Sequence, residues 1–289
     1  MKKKLLAVLA TLTLAVGMIG CGGNNGFNVD EEISVITRED GSGTRGAFIE
    51  LFGIEKRNEE GKKIDHTTDA ASITNSTSVM MTTVESDLHA ISYISLGSLN
   101  DTVKALKIDG VTPSVANIKN GSYSIYRPFN IAVKEGLSDV AQDFINYILS
   151  TEGQAVIEGA GYITVSEYGA FASNGATGKV TVAGSSSVSP IMQKLKEAYL
   201  AMNTGAEIEI LTSDSSTGMS NAIEGICDIG MASRAVKDSE KEKGLTEITI
   251  ANDGVAVIVN KENPVDSMTK EQVEQIYTGS VTGWSDIVE

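Results

Sequence analysis

The sequence has few of the residues that build metal sites and disulfide frameworks, and it has an excess of negative charge. Its two histidines, His66 and His89, stand in no metal-ligand spacing, so a histidine-based metal site is not expected. Its two cysteines are Cys21 and Cys227, and the apolar neighbours of Cys227 predict a buried small side chain. If Cys21 carries lipid, Cys227 has no disulfide partner. A formal net charge of −15 argues against nucleic acid as a partner. It does not exclude a small anion, which responds to nearby donors more than to distant, screened charges.

A long apolar run occurs in the sequence only near its start. Lysines precede the run Leu5–Ile19, which is too short for a stable membrane-spanning helix and predicts a signal peptide over residues 1–20. The run ends at Cys21 in a pattern that resembles a lipobox, with Met18 where leucine is more usual. We therefore expect lipid attachment at Cys21 and a flexible tether over residues 21–26. A cleaved signal followed by a chance cysteine is the alternative.

The remaining sequence has the composition and patterning of a globular α/β protein. It is 41% hydrophobic and 21% charged, which excludes a disordered chain. Strand-like and helix-like stretches alternate, and the length fits one two-lobed protein or two small domains. A Gly/Ser/Asn-rich stretch over residues 166–178 lacks apolar periodicity and predicts a linker. Strands are predicted at 33–37, 90–96, 129–133, 180–183, 207–211 and 255–260, and helices at 141–149, 189–202 and 217–224.

One local design occurs three times: a strand, a turn rich in Ser, Thr and Gly, and then a helix. The turns lie at 41–44, 184–189 and 213–218, and Ser189 is predicted to cap the second helix, with Pro190 at its first position. The first N–H groups of a helix lack partners, the helix dipole is positive there, and glycine allows close approach. One such turn is usually only a helix cap. Three of them favour a small oxyanion as ligand.

Arg38 is the single arginine that directly precedes one of these turns. Its guanidinium offers paired donors that suit a tetrahedral oxyanion. A surface salt bridge with the adjacent Glu39 or Asp40 is the alternative. The Gly-Ser-Gly-Thr sequence that follows favours the ligand role.

Five segments of the sequence resemble the phosphate-binding proteins of bacterial ABC uptake systems. They are residues 37–48, 91–97, 151–155, 183–190 and 228–234, and the similarity extends over nearly all of the chain after the signal peptide. The resemblance implies a two-lobed periplasmic-binding-protein type II fold, in the α/β class. It also implies closure by hinge motion on HPO₄²⁻ held between the lobes. No cofactor and no catalytic residue is implied.

The resemblance also implies which residues contact the anion. Ser233 stands where some family members have an aspartate that accepts the proton of HPO₄²⁻. Asp253, just before a predicted strand, is the candidate replacement, and a role as a turn residue is its alternative. The other implied ligand residues are Arg38, Ser42, Gly43, Thr44, Ser187, the Val188 backbone N–H and Ser215.

The order of the motifs differs from the usual order of this family. The Gly-Ser-Ser-Ser motif usually comes first, whereas here it follows the Arg38 motif, and the Trp284 motif lies at the C-terminus. This order predicts a circular permutation, with a swapped dimer or a truncated tandem array as alternatives. The expected lobe A comprises residues 27–96 and 263–289, and the expected lobe B comprises residues 97–262.

A permuted chain makes two structural predictions. Ile33 and Glu289 should lie within roughly 25 Å of each other, which is the reach of about seven extended residues. The 166–178 linker should run over the surface of lobe B and bridge what are termini elsewhere in the family.

The partners expected from the resemblance are inorganic phosphate and the membrane subunits of an ABC permease. We expect a lipid-anchored monomer on the extracytoplasmic face of the cell membrane, without nucleic acid. The alternatives are the same fold with another oxyanion, such as sulfate or molybdate, and a signalling or adhesion lipoprotein. An enzyme would need a nucleophile with a base or a metal, and no motif supplies either.

Overall fold

The computed structural model describes residues 26–165 and 169–288, so the expected signal peptide and Cys21 lie outside the described residues. The strands are β1 (Ser34–Arg38), β2 (Glu55–Arg57), β3 (Lys63–Asp65), β4 (Ser72–Thr74), β5 (Ala90–Ser95), β6 (Val103–Ala105), β7 (Lys107–Ile108), β8 (Tyr126–Val133), β9 (Gly178–Ser185), β10 (Ala206–Ser213), β11 (Ile229–Ala232), β12 (Thr246–Asn260) and β13 (Ser267–Met268). The helices are α1 (Gly43–Leu51), α2 (Thr77–Ser86), α3 (Val115–Lys119), α4 (Asp139–Leu149), α5 (Thr151–Gly159), α6 (Ser189–Met202), α7 (Ser215–Glu224), α8 (Asp238–Lys241) and α9 (Lys270–Tyr277). Short 3₁₀ turns lie at Leu96–Ser98 and Trp284–Asp286. The predicted alternation of strands and helices is confirmed.

One long strand, β12, organises the main sheet, whose order is β10-β9-β11-β8-β12-β5-β1-β4, with β6 also on β12. Its first part, Thr246–Gly254, pairs antiparallel with β8, and the part from Val255 onward pairs antiparallel with β5 and β6. Fifteen extended residues span roughly 50 Å. The same strand therefore belongs to two half-sheets. The outer strands of each half-sheet pair in parallel with their neighbours.

Two large hydrophobic cores lie on the two half-sheets. One surrounds Trp284 and Tyr277 and draws on both ends of the described chain, and we call this half lobe A. The other surrounds Phe144 and Tyr199, and we call it lobe B. A smaller cluster under α7 includes Cys227, which is buried as its apolar neighbours predict. Burial raises the pKa of its thiol to about 11.

The lobe boundaries differ from those expected from the sequence. Residues 103–125 and 255–259, which we assigned to lobe B, contribute side chains to the core around Trp284. The reason is that β12 crosses between the half-sheets and brings its own second part into lobe A. We therefore propose that the chain changes lobe near residues 125 and 253.

Both ends of the described chain lie together in lobe A. The Ile33 N–H donates to the Thr282 carbonyl at 2.7 Å, and Glu32 forms a bridge with Gly283. The Trp284 indole N–H donates to the His89 carbonyl at 3.0 Å. Glu289, for which we made the distance prediction, lies outside the described residues. The contact between the chain ends agrees with the expected permutation, which stays a prediction.

The described part of the linker, residues 169–177, lies on lobe B without helix or strand. Buried Asp143 holds it, since its carboxylate accepts from the Ser173 hydroxyl at 2.8 Å and from the Asn174 N–H at 3.0 Å. The Phe171 N–H donates to the Glu152 carboxylate at 2.7 Å. These bonds attach the segment to helices of lobe B, while most of its residues stay exposed.

Candidate anion-binding site

Six buried hydroxyl groups meet where the two lobes touch. The Thr44 hydroxyl lies 2.7 Å from that of Ser187 and 3.3 Å from that of Ser233, although Thr44 belongs to lobe A and both serines to lobe B. Thr77, also of lobe A, lies 3.2 Å from Ser187. We call the group the hydroxyl cluster; its members are Thr44, Thr77, Ser185, Ser187, Ser215 and Ser233, each at most 6% exposed.

The chain places this cluster at the carboxyl ends of strands and the beginnings of helices. Ser233 directly follows β11, and Ser185 is the last residue of β9. Thr44, Thr77 and Ser215 lie in the first turns of α1, α2 and α7. In an open α/β sheet, this edge is where ligands bind. The helix beginnings also present N–H groups and positive dipole ends to the same space.

Sequence reasoning missed Thr77, and it did not name Ser185 as a contact although the predicted turn 184–189 includes it. Ser76 caps α2 by accepting the Val79 N–H, so the strand, turn and helix design occurs a fourth time. The Ser/Thr-rich stretch 74–78 after the short strand β4 is the signal that would have found it.

Two glycines allow the lobes to approach this closely. An added Cβ at Gly43 would lie 2.5 Å from the Ser215 hydroxyl and 2.8 Å from the Ser233 hydroxyl. An added Cβ at Gly41 would collide with the Asp214 carboxylate. The Gly41 carbonyl also accepts the Ser216 N–H at 3.2 Å, which is a backbone bond between the lobes. Side chains larger than hydrogen would separate the start of α1 from lobe B.

Hydrogen bonds at the beginnings of the helices determine which hydroxyl and N–H groups could bind a ligand. Ser42 accepts the Arg45 N–H and so caps α1. The predicted cap role of Ser189 is wrong: α6 begins at this residue, and its hydroxyl donates back to the Ser185 carbonyl at 3.2 Å. The Val188 N–H also donates to the Ser185 carbonyl, at 3.0 Å. A ligand bond from Val188 would therefore require this N–H to change its acceptor.

Arg38 is buried rather than on the surface, with 1% of its side chain exposed. Its Nε and Nη2 each donate to the Glu39 carboxylate at 2.7 Å, so the alternative of an ion pair with Glu39 is partly correct. The remaining nitrogen, Nη1, is buried and has no hydrogen-bond partner within the described ranges. A buried donor without a partner is costly, and an anion would satisfy it.

A second buried arginine, Arg127 of β8, reaches the hydroxyl cluster. Its Nη2 donates to the Thr44 hydroxyl at 2.9 Å, and its Nη1 lies 3.2 Å from Asp253 Oδ2. The sequence analysis singled out Arg38 as the arginine beside the turns and did not identify Arg127. The one signal for Arg127 is its position just before the apolar stretch 129–133, which many surface arginines share.

Asp253 joins the site through Arg127. Its Oδ1 accepts the Gly97 N–H at 3.1 Å, and its Oδ2 faces Arg127. Burial raises the pKa of its carboxyl to about 6, against the opposing effects of Arg127 and the Gly97 bond. Asp253 is thus buried behind the arginine, not in the turn role that was its alternative.

The residues described here offer donors for an anion rather than ligands for a metal. No group of three or more His, Cys, Asp or Glu side chains within 26–165 and 169–288 could hold a metal ion. In the same ranges no helix is long and apolar enough to cross a bilayer.

Known proteins similar to this chain share both its sequence and its fold. The sequence model of the PBP superfamily domain matches residues 24–152 and 169–288. Phosphate-binding protein PstS 2 of Streptococcus agalactiae serotype V is 53% identical over 289 residues, which is 99% of each chain. The crystal structure of a phosphate-binding protein of a phosphate ABC transporter, from Streptococcus pneumoniae TIGR4, matches with a TM-score of 0.70 and 42% identity. That match covers 89% of this chain and 100% of the other.

A third relative matches only in part. Phosphate-binding protein PstS of Staphylococcus saprophyticus is 41% identical over 117 residues, which is 38% of this chain and 37% of the relative. The two streptococcal proteins therefore match most or nearly all of this chain, whereas the staphylococcal protein aligns with little more than a third of it.

Proposed function

Because this chain belongs to the PstS family of phosphate-binding proteins within the PBP superfamily, we propose that it captures inorganic phosphate between its lobes and delivers it to an ABC permease. The observation that carries this proposal is the hydroxyl cluster, in which Thr44 of lobe A meets Ser187 of lobe B beside a buried guanidinium. Donors from both lobes around one point suit a ligand that holds the lobes closed.

The proposed ligand contacts come from three helix beginnings, the end of β11 and an arginine. Gly43 and Thr44 would bind the anion from α1, Ser187 and the Val188 N–H from α6, and Ser215 from α7. Arg38 would bind through Nη1. Ser42 would support the site as the cap of α1, and Ser233 would donate from the end of β11. Hydroxyl groups both donate and accept, so the cluster could also accept the proton of HPO₄²⁻ without a carboxylate.

Phosphate, rather than sulfate or molybdate, is the ligand that we propose. Sulfate at neutral pH has no proton to donate, so the acceptor capacity of the hydroxyl groups is used only by phosphate. The expected result of calorimetric titration is phosphate binding at least about tenfold tighter than binding of either competitor, which corresponds to about 1.4 kcal/mol. Equal affinities would make this a general oxyanion-binding protein. Absence of phosphate binding would refute the proposed function.

We propose that lipid on Cys21 holds the protein at the extracytoplasmic face of the cell membrane. The lipobox-like pattern after the apolar run supports this proposal. There the monomer would meet the membrane subunits of the permease. A signalling or adhesion role would not need donors from both lobes to converge on one point, so the hydroxyl cluster favours transport over that alternative.

The circular permutation is also a proposal, and two observations support it. The chain ends meet in lobe A through the bond between Ile33 and Thr282. The staphylococcal relative matches over one segment only, as expected when two orders of the same motifs are aligned.

A re-permuted variant tests this proposal. The chain would be opened within 166–178, and Glu289 would be joined to Ile33 by a short Gly/Ser loop. We expect a folded monomer whose phosphate affinity lies within about threefold of the parent, or about 0.65 kcal/mol, because the contacts of the site are unchanged. Calorimetry measures the affinity, and size-exclusion chromatography measures the oligomeric state. A dimer, or loss of binding, would favour the swapped-dimer alternative.

A further inference from the structure

Arg127 lies at the point where the two half-sheets join. In the pairing of β8 with β12, Arg127 lies opposite Asp253. From Val255 onward, β12 pairs with β5 instead. The Asp253 carboxylate also accepts the Gly97 N–H from the turn after β5. The pair therefore connects β8, β12 and the end of β5, and Arg127 extends from this junction to Thr44.

The hydrogen-bonding capacity of Arg127 is largely unused. The side chain is 3% exposed, yet Nε and Nη1 have no hydrogen-bond partner among the described residues. The contact with Asp253 is an ion pair without aligned hydrogen bonds, since Asp253 Oδ2 also has no such partner there. The guanidinium lies 5.2 Å from the centre of the Phe129 ring, which fixes its position without using its donors.

Charge also distinguishes the two arginines. Arg38 is neutralised by two short bonds to Glu39, so it offers an anion one remaining nitrogen. Burial lowers the pKa of the Arg127 guanidinium, Asp253 raises it, and the charge of Arg38 lowers it further. A second guanidinium at the hydroxyl cluster would add positive charge that suits a dianion.

We infer that Arg127 contacts the bound anion as a second guanidinium, and that Asp253 is a positioning residue that orients Arg127. The inference rests on the proposed function and deepens it. It also replaces the expectation that Asp253 itself accepts the phosphate proton. Asp253 reaches Arg127 and Gly97, and Arg127 reaches the hydroxyl cluster.

The experiment compares phosphate and sulfate binding by calorimetry in the parent and in Arg127→Met, Arg127→Lys and Asp253→Asn. Arg57→Met is the matched control, because Arg57 is an exposed arginine whose guanidinium bonds the Gly61 carbonyl. Phosphate binding by the parent tests the proposed function separately. Thermal unfolding reports whether each variant folds, and Arg127→Lys keeps the charge beside Asp253 if the methionine variant does not fold.

Arg127→Met is expected to weaken phosphate and sulfate binding by at least about tenfold, with Arg127→Lys in between and Arg57→Met unchanged. Asp253→Asn should weaken phosphate binding and sulfate binding by the same factor as each other. When it is combined with Arg127→Met, it should add no further loss, because a residue that acts through another is not additive with it. Affinity of folded Arg127→Met or Arg127→Lys within threefold of the parent would remove Arg127 from the site. Weakening of phosphate alone in Asp253→Asn would make Asp253 the proton acceptor and refute its positioning role.

Discussion

Replacement of Arg38 by alanine is expected to weaken phosphate binding roughly 30- to 4000-fold and to leave the fold intact. Loss of one partner of a buried, hydrogen-bonded charge pair costs about 2–5 kcal/mol. The buried Nη1 supplies the bond to the anion. The variant also leaves the Glu39 carboxylate without its cation, and this negative charge would repel the ligand.

Two further variants separate these contributions. Arg38→Ala combined with Glu39→Gln removes the repulsion and should recover part of the phosphate affinity that Arg38→Ala loses. Arg38→Lys keeps the charge without the paired donors and should bind more weakly than the parent but more tightly than Arg38→Ala. Calorimetry gives the affinities, and circular dichroism with thermal unfolding gives the folded state. Phosphate affinity of Arg38→Ala within about threefold of the parent would show that the anion is bound elsewhere.

Replacement of Gly43 by alanine is expected to weaken phosphate binding roughly 5- to 150-fold, because the lobes could no longer close completely. The new Cβ would lie 2.5 Å from the Ser215 hydroxyl and 2.8 Å from that of Ser233, both of which belong to lobe B. Overpacking of this kind costs about 1–3 kcal/mol. Within lobe A the substitution should be harmless, since alanine favours a helix over glycine by about 1 kcal/mol.

The matched control is Gly46→Ala, on the same helix, where an added Cβ meets nothing within 4 Å. We expect the control to bind as the parent does and both variants to unfold at or above the parent's temperature in the absence of phosphate. Small-angle X-ray scattering should show that phosphate reduces the radius of gyration of the parent and of Gly46→Ala, and reduces that of Gly43→Ala less. Parent-like affinity and compaction in Gly43→Ala would contradict a site that closes against this glycine.

Much of the candidate site follows from short stretches of sequence. The turns at 41–44, 184–189 and 213–218 were predicted because a strand followed by Ser, Thr and Gly before a helix is a local pattern. Each turn does lead into a helix, and its residues either belong to the hydroxyl cluster or allow the two lobes to approach each other there. The fourth turn was missed because β4 is only three residues long and carries no clear strand signal.

Other features depend on residues that are far apart in the sequence. Arg127 looks like a surface arginine until β8 pairs with β12 and brings Asp253, more than a hundred residues away, beside it. Asp253 was nominated as the acceptor of the phosphate proton because Ser233 has no carboxylate, yet its position behind Arg127 comes from the register of those strands. The lobe boundaries were misplaced for a similar reason, since nothing local marks the point at which β12 passes from one half-sheet to the other.

The sequence by itself determined the α/β alternation, the helix beginnings rich in donors, the burial of Cys227 and the likeness to the phosphate-binding family. These properties rest on periodicity and on the chemistry of neighbouring residues, which act over a few positions. Only the tertiary structure decided that Thr44 meets Ser187, that Arg127 lies between Asp253 and Thr44, and that Ile33 pairs with Thr282. Those contacts join residues more than 80 positions apart, and the order and register of the strands in the sheet bring them together.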